Sequence, residues 1–134
     1  MTEHVFRADR QAPEDVSATP FAGLDIRTLI GSPQNGAELA NVGQTIYPAG
    51  RHGHEAHSHP NAEEVLVVLA GSGCYQVGDD VFEISTGDVV FVPRGAVHAT
   101  TSSDDEDLVT LWMLGGAGSL AAAGYESRAA DGRL

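Results

Sequence analysis

No lysine occurs anywhere in the chain, and its seven arginines face nineteen aspartates and glutamates, for a formal net charge of −12. A surface so short of cations repels phosphate backbones and anionic headgroups, so neither nucleic acid nor a membrane is expected as a partner. Without a lysine amine, Schiff-base catalysis by a protein lysine is excluded. The single cysteine, Cys74, cannot close an internal disulfide, and the fold must hold by packing, with or without a metal. Long apolar runs are missing too. The longest, at 65–70, falls far short of the roughly 20 residues of a membrane-spanning helix, and the opening MTEHVFRADRQAPEDV lacks the apolar stretch of a signal peptide. These absences lead us to expect a cytoplasmic protein. A length of 134 residues is one domain's worth of chain around one core.

Helical periodicity is the next absence, since no stretch before residue 115 carries an amphipathic helix pattern. Short runs at 24–30, 38–47, 65–69, 74–77, 81–84, 89–92 and 108–114 read as strands. Turn-forming residues separate them: GSPQNG at 31–36, Pro48-Ala49-Gly50, Gly71 with Gly73, Gly78-Asp79-Asp80, Thr86-Gly87-Asp88 and Pro93-Arg94-Gly95. This rhythm predicts an all-β sandwich or barrel. Residues 1–23 read as an irregular N-terminal arm in which Val5, Phe6 and Phe21 are candidate anchors. Residues 24–114 form the barrel, and 115–134 a C-terminal tail with a short helical turn.

What the chain has in abundance is histidine in one place. Four of its six histidines fall in RHGHEAHSHP at 51–60, where Gly53 and Pro60 argue against a helix. On a strand, side chains alternate faces, so His57 and His59 point the same way. Glu64 follows past Pro60 at the start of an apolar strand, and His98 arrives from another strand after Pro93-Arg94-Gly95. Three imidazoles and a carboxylate are a coordination shell for a divalent transition metal.

Two spacings carry a resemblance: His57-x-His59 with Glu64 and Gly71, and Gly87 with Pro93, Gly95 and His98. On these residues the chain resembles a small single-domain member of the cupin superfamily over 38–114. The resemblance implies a double-stranded β-helix, or jelly-roll, barrel. It also implies that His57, His59, Glu64 and His98 hold a divalent transition metal, and the ligand types favour Fe, Mn, Ni, Zn or Cu over Ca or Mg. Two departures stand out. The glycine expected before the first histidine is displaced, Gly50 lying one residue too far back, which suggests a longer loop at 51–56; and Ser102 stands where cupins often have asparagine.

Such a ligand set leaves up to two positions open on an octahedral ion, as catalytic sites do and closed structural sites do not. The expected function is therefore a metal-dependent enzyme whose small oxygen-bearing substrate chelates the ion. Dioxygenase chemistry comes first, with a Lewis-acid isomerase, lyase or cyclase close behind. A non-catalytic barrel that binds a small ligand or sugar is the alternative from another class. A metal-free sugar-nucleotide epimerase is disfavoured, because it needs a basic pocket that this chain cannot furnish.

Further pocket candidates come from the flanking segments. Of Gln44 and Tyr47, at most one faces inward. Arg51 is a candidate carboxylate clamp or a plain surface charge. His52 and His54 read as exposed loop histidines, with proton shuttling, support of the ligands or an accessory metal as the alternatives. Trp112 and Met113 take opposite faces, one of them lining the interior. Leu66 and Val68 are expected to line the cavity, leaving Val65, Val67 and Leu69 as an outer apolar stripe. That stripe leads us to expect a homodimer, or the arm laid across it.

Overall fold

The structure, a computed structural model, describes residues 3–134. Ten strands form among them: β1 (Asp25–Ile30), β2 (Ala40–Tyr47), β3 (His57–Ser58), β4 (Glu63–Ala70), β5 (Ser72–Val77), β6 (Asp80–Ser85), β7 (Val89–Val92), β8 (His98–Ser102), β9 (Leu108–Gly115) and β10 (Glu126–Ser127). They make two five-stranded sheets, β1-β2-β9-β4-β7 and β10-β3-β8-β5-β6, in which every pairing is antiparallel. This is the all-β jelly roll. The seven strand runs read from sequence hold with ends moved by at most two residues; β3 and β8 give bounds to the strands expected at His57 and His98, and β10 is an addition.

Alternation along the strands builds the core. In β2, Asn41, Gly43, Thr45 and Tyr47 face in while Val42, Gln44 and Ile46 face out; in β4, Leu66 and Val68 are buried. Leu66, Val68, Tyr75, Ile84, Val92 and Leu108 pack into one cluster that fills one end of the barrel, with Leu24 and Tyr47 at its border with the cavity. The other end stays open and holds the histidines.

Three local features position that open end. The stretch expected as a turn at 31–36 contains a single helical turn, α1 (Ser32–Asn35), with Pro33 in its first turn and Gly36 closing it at φ +75°. In the loop 48–56, Arg51 has φ +62°, the one non-glycine residue with positive φ among those described. Arg51 therefore takes up the left-handed conformation that a glycine adopts freely. Ser102 pins the same loop: its hydroxyl donates to the Pro48 carbonyl at 2.5 Å and accepts from the His52 N–H at 3.1 Å.

The termini are more ordered than their composition suggests. The arm wraps the β1 edge: the Arg27 guanidinium donates to the Ala8 and Gln11 carbonyls, and the Glu14 N–H bonds the Ile26 carbonyl at 2.8 Å. The arm does not reach the outer face of β4 and β7, where Val89 is 64% and Phe91 56% exposed beside Leu69 and Met113. The expected tail at 115–134 holds α2 (Leu120–Ala123), capped by the Ser119 side chain, and then β10, which pairs with β3.

Gly71, part of the first sequence pattern, shows why glycine is needed there. Its φ is +84°, and a Cβ would overlap the Asp107 carbonyl oxygen in the facing backbone. Gly71→Ala should destabilise the protein by about 1–3 kcal/mol, read as a lowered urea midpoint at unchanged m-value.

Candidate metal centre

The two-residue strand β3 fixes the direction of its side chains through its neighbours. His57 pairs directly with His98 of β8, and Ser127 of β10 lies on the other side. His59 follows just beyond β3, and Glu64 is the second residue of β4, where its register partners are Val92 and Leu114. The structure thus brings His57, His59 and His98 together, buried, with one ligand atom of each within 4.8 Å of the others. The Glu64 carboxylate lies outside that group of three but approaches two of its members, its Oε2 2.7 Å from His98 Nε2 and 4.0 Å from His59 Nε2.

Hydrogen bonding orients each ring. His57 Nδ1 meets the Glu55 carbonyl at 3.0 Å, His59 Nδ1 the Gly124 carbonyl at 2.8 Å, and His98 Nδ1 the Ala96 carbonyl at 3.0 Å. A carbonyl only accepts, so every Nδ1 carries the proton and every neutral ring presents an Nε2 lone pair. His98 Nε2 and Glu64 Oε2 are buried with no partner of hydrogen-bonding geometry, although they approach closely. A lone pair facing a carboxylate in a buried site requires a cation between them, either a proton or a metal ion. The separations suit a metal, because cis ligands about 2.1 Å from an ion lie about 3 Å apart.

The electrostatics follow from burial. Desolvation lowers the pKa values of His57 and His59, and that of His54 to about 4. His98 is the exception: burial pulls it down, but the Glu64 carboxylate more than compensates and the net shift is upward. Burial alone would raise Glu64, yet the surrounding imidazoles, His98 first, hold it below its ordinary value. Tyr47, fully enclosed, is pushed up by desolvation and stays a neutral phenol.

A cavity of about 750 Å³ opens in front of His57, His59 and Glu64. Phe21, Leu24, Ile26, Trp112, Leu114 and Leu120 supply most of its apolar wall, and Tyr47, His54 and Tyr125 stand near the ligands. Trp112 is locked by its indole N–H, which donates to the Thr45 hydroxyl at 2.9 Å.

Several expectations need correction. Gln44 points outward, because the alternation of β2 turns Tyr47 inward instead. Arg51 is exposed and paired with Asp104 at 3.0 Å, away from the cavity. His52 is exposed as expected, but His54 is not: it packs against Phe21, Tyr47 and His57 with ring centroids 5.4, 6.0 and 4.7 Å away. Leu66 and Val68 belong to the packed end of the barrel and do not line the cavity. Tyr125 and Gly124 were not foreseen. A sequence of alanines and glycines carries no periodicity to link them to a histidine more than sixty residues earlier.

A family model described as Cupin domain matches residues 43–114. Protein SchB of Streptomyces halstedii is 26% identical over 102 residues, covering 76% of this chain and 73% of its own. Among solved structures, the polyketide cyclase RemF from Streptomyces resistomycificus superposes with a TM-score of 0.71 at 23% identity, over 86% of this chain and 80% of that one. A predicted oxalate decarboxylase from Thermotoga maritima gives a TM-score of 0.72 at 21% identity, over 84% and 99%. At these identities the structural likenesses speak for the fold.

His54 yields a pH prediction for the metal-free protein. Its pKa is about 4 folded and near 6.5 unfolded, so the unfolded chain gains a proton that the folded one refuses. Its contribution to stability is complete above pH 6.5 and is lost as the pH falls toward 4. Relative to a His54→Asn variant, the parent chain should lose stability across that window in urea titrations.

Proposed function

The chain belongs to the cupin domain family, and from that membership we propose that it is a metal-dependent enzyme acting on a neutral, largely apolar small molecule. The ligands are Nε2 of His57, His59 and His98 with the Glu64 carboxylate. The observation that supports this most is the gathering of three buried imidazoles, each with its Nδ1–H spent on a main-chain carbonyl, and of Glu64 Oε2 beside two of them without a partner of hydrogen-bonding geometry. A divalent transition ion held there supplies Lewis-acid polarisation of a carbonyl or enol oxygen.

The cavity wall argues for the substrate class. No arginine lines it among the described residues, the chain has no lysine, and Glu14 and Asp15 stand in the wall. A small dianion would find no cationic side chain to neutralise it. A carbonyl- or enol-bearing molecule with an aromatic or aliphatic body suits the apolar residues, and about 750 Å³ accommodates a drug-sized ligand. Likeness to a polyketide cyclase agrees with this substrate class, whereas an oxalate-like substrate does not fit it. We therefore favour cyclisation or isomerisation over decarboxylation of a dianion. Dioxygenase chemistry is the second reading, drawn from the open positions of the same ligand set.

Within this reading the chain's own groups have separate tasks. Phe21 and Trp112 clamp the substrate body and exclude water from the reacting end. His54, its Nδ1–H bonded to the Glu55 carbonyl at 2.9 Å, offers an Nε2 lone pair to a substrate hydroxyl. The Tyr47 phenol, held neutral, is a donor at the same end of the cavity. For assembly we propose a homodimer joined through the outer face of β4, β7 and β9, where Val65, Phe91 and Met113 sit side by side and the arm gives no cover.

Elemental analysis should find close to one transition-metal ion per chain, and His57→Ala should lose both the ion and turnover. Less than about a tenth of an ion per chain, with none regained on soaking, overturns the metal reading. On the loaded protein, a neutral aromatic 1,3-diketone should bind at least about tenfold more tightly than oxalate; the reverse order overturns the substrate class. Oxygen uptake during turnover would select the dioxygenase reading. Sedimentation equilibrium should return twice the 14.0 kDa chain mass, and a monomer at high concentration overturns the dimer.

A further inference from the structure

We infer that residues 124–127, which cross from α2 to the edge of the second sheet, act as a positioning strap for two of the metal ligands, through the Gly124 carbonyl and the Tyr125 ring. The inference rests on the metal reading above and adds residues outside its ligand set.

β3 is the weak point of the centre. It has two residues and a single paired position with β8, so by itself it is a poor platform for His57 and His59. The strap supplies what is missing. β10 pairs along it, Glu126 against Ser58 and Ser127 against His57, and the Arg128 N–H extends the contact to the Ala56 carbonyl at 2.8 Å. The Tyr125 ring lies on the His57 ring, centroids 4.7 Å apart with 24° between the planes. The Gly124 carbonyl accepts the His59 Nδ1 proton at 2.8 Å, which fixes the tautomer that leaves Nε2 free.

A latch closes the arrangement. The Tyr125 hydroxyl donates to Glu55 Oε1 at 2.6 Å, and the Glu55 main-chain carbonyl accepts from His57 Nδ1. One residue thus grips the strap by its side chain and a ligand by its backbone. Gly124 permits the close approach: at φ +79°, a Cβ there would come within 2.7 Å of the Pro60 ring. Tyr125 also faces the cavity, so it is wall and support at once.

The test is Co(II) titration of the full-length metal-free protein, read by ligand-field absorption, for the parent chain, Tyr125→Phe, Tyr125→Ala and a chain ending at Ala123. Losing an outer support of a metal ligand weakens binding about 10–100-fold. Tyr125→Ala should reach at least the lower bound with an altered absorption envelope. Tyr125→Phe, which keeps the stack and loses the latch, should rescue most of the affinity. Urea midpoints of the metal-free variants control for folding, and Arg133→Ala, beyond the strap, should leave affinity unchanged. If Tyr125→Ala binds Co(II) with the parent's affinity and spectrum, the strap is overturned, whatever happens to the truncated chain. If the parent chain itself binds no Co(II), the metal reading falls and the strap with it.

Discussion

Three hydrogen bonds from imidazole N–H groups to main-chain carbonyls are the constraint on which the rest of the structure depends. The carbonyls belong to Glu55, Ala96 and Gly124: one in the loop before β3, one in the turn before β8, one in the segment after α2. Each places a proton on Nδ1, so three Nε2 atoms face the other way, and those of His59 and His98 approach Glu64. His98 Nε2 and Glu64 Oε2 are buried without a partner of hydrogen-bonding geometry, and leaving such a group unpaired costs about 1–3 kcal/mol. The metal-free fold therefore carries an unfavourable site, offset by the packed end around Leu66, Tyr75 and Leu108. Binding a cation removes that penalty and stabilises the fold by mass action. Ligand geometry, stability and metal affinity are in this way one problem.

Charge acts on the same site at longer range. A net charge of −12 draws divalent cations toward the protein and repels anions. Glu14 and Asp15 bring that preference to the cavity wall, where no arginine counters it. In the proposed centre the ligand set and the wall would separate two kinds of selectivity: imidazole and carboxylate would choose the ion, and an apolar wall without arginine the molecule presented to it. Two proteins with the same four ligands and different walls would take different substrates, which is why the fold does not fix the activity.

How far the sequence revealed this follows the range of the interactions. The gathering of His57, His59 and His98 was legible because ligand chemistry restricts residue type and strand geometry restricts spacing. The strands were legible through their period of two, which also separated Leu66 and Val68 from Val65 and Val67. That period says which face a residue takes, not its depth along the barrel, so Leu66 and Val68 were assigned to the cavity when they fill the closed end. His52 and His54 looked equivalent by spacing. They differ because Gly53 bridges to Thr101 and the loop folds in after it, a contact made across nearly fifty residues. Gly124 and Tyr125 were silent for the same reason: their partners Glu55, His57 and His59 lie more than sixty residues earlier, and nothing in GAGSLAAAGYES has a period.

This division has a functional side. The family match covers 43–114, a span that holds all four candidate ligands. Phe21 and the arm lie before it; Leu120, Gly124 and Tyr125 lie after it. Both termini converge on His57, where the Phe21 and Tyr125 rings are 5.7 and 4.7 Å away and 5.8 Å from each other. The matched barrel carries the three clustered histidines, while the rings that enclose the space beside them come from segments outside the matched span. The shape of the space beside His57 is therefore set by the arm and the segment after α2, and in the proposed enzyme these would select the substrate.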